Sequence, residues 1–244
     1  MSKDQDSVHQ AFTELAPRYE SAVDQELRTF WGWSYQDFID HLLQRTRLEA
    51  GQRVLDIATG TSVIPRKLAA AGHTENQLIG LDITEAMLRR GKTKIEAQPG
   101  TSNIHLTCGD AMHLPYPEEA FDLIVTGLAS HHMDIDHLLE EIRRVLKTGG
   151  TFSMIDVGSS PFWRLPLISS FSRIFAFFYF LLTENISRAW AEAEAVSNVL
   201  SPQEWQRRLT NLGFANIDAE TLPSKFSWLP EPLAISAQLV SKER

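Results

Sequence analysis

A chain of 244 residues with 43% hydrophobic content is long enough to bury one sizeable α/β core, and nothing in it calls for a second domain. Its formal net charge of -8 and isoelectric point near 5.5 exclude the basic face that a nucleic-acid partner requires. The single cysteine, Cys108, excludes an intrachain disulfide and a thiolate metal cluster, and its place in an apolar run beside Gly109 predicts a buried structural thiol.

The opening residues Met1-Ser2-Lys3-Asp4-Gln5-Asp6 are polar and acidic, without the basic and apolar layout of an export signal, so a cytoplasmic location is expected. Residues 7–30 read as helix, with Val8, Phe12, Leu15 and Ala16 at helical spacing and Pro17 interrupting the pattern. A second helix over 34–48 carries Phe38, Ile39, Leu42, Leu43 and Leu48 on one side. The aromatic group Phe30-Trp31-Gly32-Trp33 is either core for these helices or wall for a substrate.

From Arg53 onward, strands and helices alternate. Val54, Leu55 and Ile57 show no polar alternation, which suits a parallel strand buried on both faces. The following turn, Ala58-Thr59-Gly60-Thr61-Ser62, has so little bulk that a ligand can approach the backbone at the strand's carboxyl end. Helix 63–71, strand 78–81, helix 84–97, strand 104–107, strand 121–126, helix 135–147 and strand 151–156 follow, as in βαβ units on a mainly parallel sheet. Gln98-Pro99-Gly100 and Thr148-Gly149-Gly150 mark turns. Three successive strands deliver acids to one edge: Asp56, Asp82 and Asp110. An acid about 20 residues or more beyond the first turn is the usual partner of a ribose hydroxyl pair, which assigns Asp82. Asp56 and Asp110 remain for the ammonium and the adenine amino group of a larger nucleoside.

Residues 158–200 are an insertion before a helix opened by Ser201-Pro202-Gln203-Glu204, which has the capping-box form. The insertion reads as a lid. Its stretch 166–182 is apolar apart from Arg173 and three serines. As a helix it reaches only about 25 Å, short of a hydrocarbon core of roughly 30 Å. Phe171, Phe175, Phe178 and Leu182 share one face, whereas Phe177, Tyr179 and Phe180 fall outside it. The lid therefore buries this surface over its own core, covers an apolar acceptor, or rests peripherally against a membrane. Beyond Asn185 it turns polar, with Glu192 and Glu194, and is expected to face water. Ala215–Ala219 and Ala234–Val240 read as two closing strands around a Pro-rich link.

The order Val54-Leu55-Asp56-x-Ala58-x-Gly60-Thr61, Leu81-Asp82, Gly109-Asp110-Ala111 with Leu114-Pro115, Phe121-Asp122 and Arg144-Val145-Leu146-Lys147-x-Gly149-Gly150 resembles the class I S-adenosylmethionine methyltransferases. Within them it is most similar to the ubiquinone/menaquinone biosynthesis C-methyltransferase branch. Upstream, Phe12-x-x-x-Ala16-x-Arg18-Tyr19 resembles that branch's N-terminal cap, so the resemblance runs from about residue 8 to 220. Two positions depart from the pattern: Ser62 stands where the family's last motif glycine would be, and Thr148 where a proline is usual. A serine fits that turn if its φ is negative.

The resemblance implies an α/β, doubly wound, Rossmann-like, mostly parallel seven-stranded sheet with an antiparallel terminal strand. It would form one methyltransferase domain: cap 7–48, cofactor core 50–157, lid 158–200 and closing elements 201–244. It also implies S-adenosyl-L-methionine as cofactor, held by Asp56, Ala58, Thr59, Gly60, Ser62, Asp82, Ile83, Met87, Asp110, Ala111 and Thr126. The acceptor would be small and hydrophobic, aromatic or quinol-type, under a cap from which Tyr19 is a candidate, with His131 and His132, to line the active site.

Methyl transfer from a sulfonium is an in-line displacement, so the protein must align the reactants and take a proton where the acceptor carries one. His131 and His132, at the end of the fourth strand, have the intrinsic pKa of such a base. The structural alternative is that they hold the loop, and that Tyr19 packs under the cap. His131, His132, Asp134, Asp136 and His137 also offer metal-ligand types, but Asp136 and His137 lie where the next helix should start, Asp136 is more simply its N-cap, and no metal is expected. A nicotinamide dehydrogenase would need a glycine-rich first turn that is missing here. A non-methylating S-adenosylmethionine binder or cyclase would share the cofactor residues. Nothing in the sequence sets an oligomeric state.

Overall fold

The structure is a computed structural model and describes residues 3–159, 166–225 and 230–240. The start of the expected lid, 160–165, and part of the Pro-rich link, 226–229, lie outside the described residues. Parallel strands β1 (Arg53–Ile57), β2 (Gln77–Asp82), β3 (Ile104–Cys108), β4 (Phe121–Gly127) and β5 (Leu146–Val157) join β6 (Phe214–Thr221) and β7 (Pro232–Leu239) in one sheet of order β3-β2-β1-β4-β5-β7-β6. β7 pairs antiparallel with both β5 and β6 and is the one reversed strand. Both faces of the central strands are covered: Phe121, Phe152, Trp205 and Leu209 fill one apolar layer, and Phe38, Ile39, Leu42 and Leu68 the other. That double burial is why the strands carry continuous apolar runs.

Helices α4 (Val63–Ala70), α5 (Glu85–Glu96) and α6 (Ile135–Val145) fall within two residues of the expected boundaries, and α9 (Pro202–Asn211) opens where expected, with Ser201 and Glu204 forming the capping box. The N-terminal piece is three helices: α1 (Lys3–Leu15), α2 (Tyr19–Phe30) and α3 (Tyr35–Gln44). Pro17, which has no N–H to donate, sits in a single tight 3-10 turn, Ala16–Arg18, that divides the expected helix 7–30. α3 packs on the sheet itself, with Phe38, Ile39 and Leu42 fully buried. After β5 come α7 (Pro166–Thr183) and α8 (Ile186–Ala195), packed on each other, and α8 also packs on α1.

Four expectations are corrected. Cys108 is exposed, because it lies at the carboxyl end of β3, past the strand's buried part. The N-cap of α6 is Asp134, which accepts the N–H groups of Asp136 and His137, so Asp136 is already inside the helix. Ser62 does not have a negative φ: it is left-handed at +63°, fully buried and unable to place its hydroxyl on a partner. Its neighbour explains how the serine fits. A Cβ on Gly91 of α5 would lie 2.4 Å from Ser62 Oγ, so the glycine in α5 vacates the space that the serine takes.

The fourth concerns the lid. α8, expected to face water, is the buried helix: Ala189, Ala191, Ala193 and Ala195 pack inward, and Arg188 is only 5% exposed. α7 instead presents Phe171 (69% exposed), Ile174, Phe175, Phe178 and Leu182 (85%) to solvent.

The Ser62–Gly91 pair predicts a non-additive cycle. Gly91→Ala is expected to destabilise the fold by about 1–3 kcal/mol through overpacking. In the Ser62→Gly background, where hydroxymethyl and left-handed strain are both gone, the same change is expected to cost less than half as much, read by denaturant melts of the four proteins.

Candidate active site

The chain runs from β1 to β2 and β3 on one side, and then returns to β4 and β5 on the other. The strand order reverses between β1 and β4, and a crevice opens there at the carboxyl ends of the strands. Buried carboxylates shape its loops. Asp82 accepts the Gly60 N–H at 2.8 Å and the Thr84 N–H at 2.8 Å, fastening the turn after β1 to the end of β2. Asp56 accepts the Thr59 hydroxyl at 2.6 Å with one oxygen, while its Oδ1 is buried with no partner. Burial, with a smaller push from Asp82, raises the Asp56 carboxyl to about 8. Burial likewise raises Asp82, against the backbone hydrogen bonds that favour its ionised form. Ala58 (φ 55°) and Gly60 (φ 54°) give the turn its tight path, and a Cβ on Gly60 would touch the Tyr19 ring at 3.6 Å.

A cavity of about 940 Å³ lies along this edge, lined by Ala58, Asp82, Ile83, Asp110, Ala111 and Met112, and reaching His131 and His132. Asp110, partly exposed, accepts the Met112 N–H at 2.9 Å. The remaining expected cofactor residues stand behind this wall. Thr126 is buried and donates its hydroxyl to the Ile57 carbonyl at 2.9 Å. Met87 and Ser62 are core, Asp56 and Thr59 brace the turn from below, and Gly60 lies under Tyr19.

A second cavity, of about 860 Å³, opens between cap and lid and is mostly apolar: Phe12, Val23, Leu27, Phe30, Trp31, Phe175 and Phe180 line it with Tyr19. The aromatic group is thereby divided. Phe30 and Trp31 face this cavity, while Trp33 packs on Phe38 and donates its indole N–H to the Pro223 carbonyl. Burial raises the Tyr19 phenol above its ordinary value, so it stays protonated. The two cavities share four lining residues, namely His131, His132, Ala195 and Ser197.

The histidines at this junction differ. His131 places Nδ1 2.5 Å from Asp156 Oδ1 at the end of β5, and Asp156 Oδ2 accepts the Ser130 N–H (2.8 Å) and hydroxyl (2.5 Å). An ionised carboxylate only accepts, so Nδ1 carries the proton and Nε2 is the basic nitrogen. Burial pulls the His131 pKa down, but the Asp156 charge and hydrogen bond outweigh it and the net shift is upward. His132 is lowered, by burial and then by the charge of His131, and remains neutral. Its Nε2 lies 3.4 Å from Glu192 of α8, its Nδ1 has no partner, and its ring meets Phe12 edge-on. Glu192 is 2.9 Å from Arg188 and, although burial opposes this, the guanidinium holds its carboxyl far below the usual range.

Sequence reasoning missed Asp156, Glu192, Arg188 and Glu26. Asp156 had the same signal as Asp56 and Asp82, an acid closing an apolar strand. Arg188 and Glu192, four apart among alanines, had the signal of a helix packed too closely for bulk on that face.

The metal-ligand types seen in the sequence separate: Asp134 caps α6 and Asp136 pairs with Arg208. His131, His132 and Glu192 do bring ligand atoms within 4.8 Å of one another. His131 Nδ1 is, however, committed to Asp156, and a guanidinium already lies 2.9 Å from Glu192, so a metal ion there would meet a resident cation.

The family model of the ubiE/COQ5 methyltransferases matches residues 1–199. The chain belongs to the ubiE/COQ5 methyltransferase family. It is 31% identical over 214 residues to the demethylmenaquinone methyltransferase of Lactobacillus johnsonii, covering 86% of this chain and 85% of the relative. Among solved structures it superposes on phosphoethanolamine N-methyltransferase 2 of Haemonchus contortus, in complex with S-adenosyl-L-methionine, with a TM-score of 0.67 at 15% identity, covering 94% of this chain and 60% of that one. It also matches an Aquifex aeolicus SAM-dependent methyltransferase (TM-score 0.59, 18% identity, 92% and 98% covered). This family member is an S-adenosylmethionine-dependent methyltransferase.

The residues present fit that cofactor. Asp82 and Asp110 edge the cavity, where a carboxylate would receive a ribose diol, and Ile83, Ala111 and Met112 would give a purine an apolar wall, while Asp56 stands behind that wall with Oδ1 unpaired.

Asp56 makes ligand-free stability depend on pH. Its folded pKa of about 8 lies above its unfolded value of about 4, so its contribution is fully present below pH 4 and is lost as pH rises through 8. Thermal melts of ligand-free protein are expected to fall between pH 5 and pH 9. Asp56→Asn is expected to reduce that slope, with Asp82, Glu26 and His131, each raised in the folded state, contributing to the remainder.

Proposed function

We propose that the chain methylates a ring carbon of a quinol-type aromatic acceptor, in the cytoplasm at a membrane surface. The observation that carries this reading is the pair of cavities, one edged with carboxylates and one apolar and aromatic, that meet at His131 and His132. The relatives' name, demethylmenaquinone methyltransferase, supports the acceptor class. The cofactor supplies an electrophilic methyl on its sulfonium. The chain's own groups align and deprotonate the acceptor. The aromatic walls hold a flat ring against the junction, and cap and lid exclude water. His131 Nε2 takes the acceptor's proton while Asp156 steadies the resulting imidazolium, and His132 stays neutral beside it.

The test is transfer of isotopically labelled methyl from S-adenosylmethionine by the pure protein into a lipid extract and a water-soluble extract. Label in a quinone of the lipid pool is expected; label confined to the soluble pool rejects the acceptor class. The rate constant is expected to rise with pH through a midpoint above the ordinary histidine value of about 6.5. Asp156→Asn is expected to lower kcat by roughly 10²–10⁴-fold and to move that midpoint down.

The membrane part of the proposal rests on α7. Its exposed side, Phe171, Ile174, Phe175, Phe178 and Leu182, is continued by Ile186 and Trp190 of α8. Among the described residues no helix is long and apolar enough to cross a membrane, so this surface suits lying on one. α7 carries no acidic residue, and its one charged side chain, Arg173, lines the carboxylate-edged cavity, so the exposed side of α7 is free of charge. Phe171 and Phe175 also line the apolar cavity, so the cavity adjoins the patch. The single cysteine suits the reducing cytoplasm. The combined change Ile174→Ser, Phe178→Ser and Leu182→Ser is expected to cut co-sedimentation with phosphatidylglycerol vesicles about tenfold. Activity on a short, water-soluble acceptor should be unaffected. Unchanged co-sedimentation removes the membrane from the proposal.

A further inference from the structure

The lid as well as the sheet holds the histidines. Asn198, just past α8, donates its side-chain amide to the His131 carbonyl at 3.2 Å. From α8 itself, Glu192 lies 3.4 Å from His132 Nε2 and 2.9 Å from Arg188 Nη2, and it brings a carboxylate oxygen within 4.8 Å of a ring nitrogen of His131. The two histidine rings are 4.2 Å apart between centroids. Glu192 Oε1 is buried and forms no hydrogen bond, so it acts on these neighbours as a charge. Arg188, also buried, is a fixed cation close to a ring that has to become one, and its other acid, Glu26, belongs to the cap. The remaining titratable groups around the histidines are Asp156 of β5, bonded to His131; Tyr19 of α2, which stays protonated; Glu194 of α8, on the wall of the carboxylate-edged cavity; and Asp134 and His137 at the start of α6, 3.4 Å from each other.

We infer that Glu192 is a positioning residue for the methyl transfer: from the lid, its charge offsets Arg188 and steadies the imidazolium that His131 becomes. The inference rests on His131 as the base proposed above and concerns what keeps that base usable in a buried site. The proton passes from the acceptor to His131 Nε2, while Glu192 stays ionised and exchanges no proton. Without this acid the guanidinium would disfavour a second positive charge close by, and the low dielectric of the interior leaves such a repulsion poorly screened. Glu192 raises the proton affinity of His131 and Arg188 lowers it, so the two charges of α8 set the base by difference. Asp156 holds the ring and fixes its tautomer from the sheet. Glu192 adds its charge from a helix that packs on the cap, so the strength of the base depends on the lid being seated. An ion pair that served only to pin the lid would be felt in stability and in ligand affinity, and would leave the protonation of His131 where it was.

The test uses the full chain with S-adenosylhomocysteine and EDTA present and needs no acceptor. The ring nitrogens of isotopically labelled histidines are followed against pH by NMR, with His131 assigned through His131→Gln. Glu192→Gln is expected to lower the His131 midpoint by about 1 unit. Glu192→Asp, which keeps the charge but draws it back by one methylene, is expected to lower it by about half as much or less. Arg18→Gln, which breaks the lid–cap pair with Glu184 at the surface, is expected to leave it within about 0.2 unit. Circular dichroism and S-adenosylhomocysteine affinity establish that each variant is folded. In labelled-methyl transfer into the lipid extract, the pH midpoint of the rate is expected to fall in Glu192→Gln as the NMR midpoint does. A His131 midpoint unmoved in folded Glu192→Gln, or in Glu192→Asp should the first variant not fold, overturns the inference, and so does an equal shift in Arg18→Gln. If the NMR midpoint falls as expected and no label enters the lipid pool, the acceptor reading fails while the assignment of Glu192 stands. If label enters a quinone and Glu192→Gln keeps the parent's pH midpoint, the acceptor reading stands and this inference falls.

Discussion

A carboxylate at the end of a doubly buried strand has to find donors close at hand, and at this sheet edge that need shapes the loops. Asp82 draws the Gly60 N–H across from the neighbouring turn, and Asp156 draws Ser130 and His131 across from the end of β4. Each acid thereby joins two strand ends that are adjacent in the sheet but distant in the chain. Hydrogen bonds to an ionised partner in a low-dielectric surrounding are strong and short, so the loops they fix are rigid. Asp56 stands apart because only one of its oxygens is served. The turn after β1 is thus finished mechanically by Asp82 and left with one unserved oxygen at Asp56.

The lid follows a similar logic with the polarity reversed. α8 brings Arg188 and Glu192 inward between cap and sheet edge, where Glu26, His132 and two aromatic rings receive them, and its alanines allow the close approach. α7 covers part of the apolar cavity and turns the rest of its surface outward. Buried ion pairs of this kind are poor sources of stability, because desolvation offsets much of their attraction. Their value here is positional: Arg188 with Glu26 ties lid to cap inside, and the half-exposed pair Arg18 with Glu184 does so at the surface.

The sequence by itself determined the sheet and the donor edge. Short apolar runs alternating with helical patterns read as strands buried on both faces, the acids at their ends fall at one rim, and the Ser201 and Glu204 spacing marks a helix start. These patterns are local, and a local pattern survives being read without a partner. The tertiary structure decided what depends on distant partners. Ser62 is left-handed because Gly91, on another helix, leaves room for it. His131 and His132 take opposite protonation preferences because one meets Asp156 while the other is buried against a charged neighbour. The polar half of the lid lies inside and the apolar half outside because Glu26, 162 residues from Arg188 in the chain, lies close enough to hold that charge. Amphipathic periodicity names the face that differs from the rest of a helix, and only the packed neighbours settle whether that face meets protein, ligand or solvent.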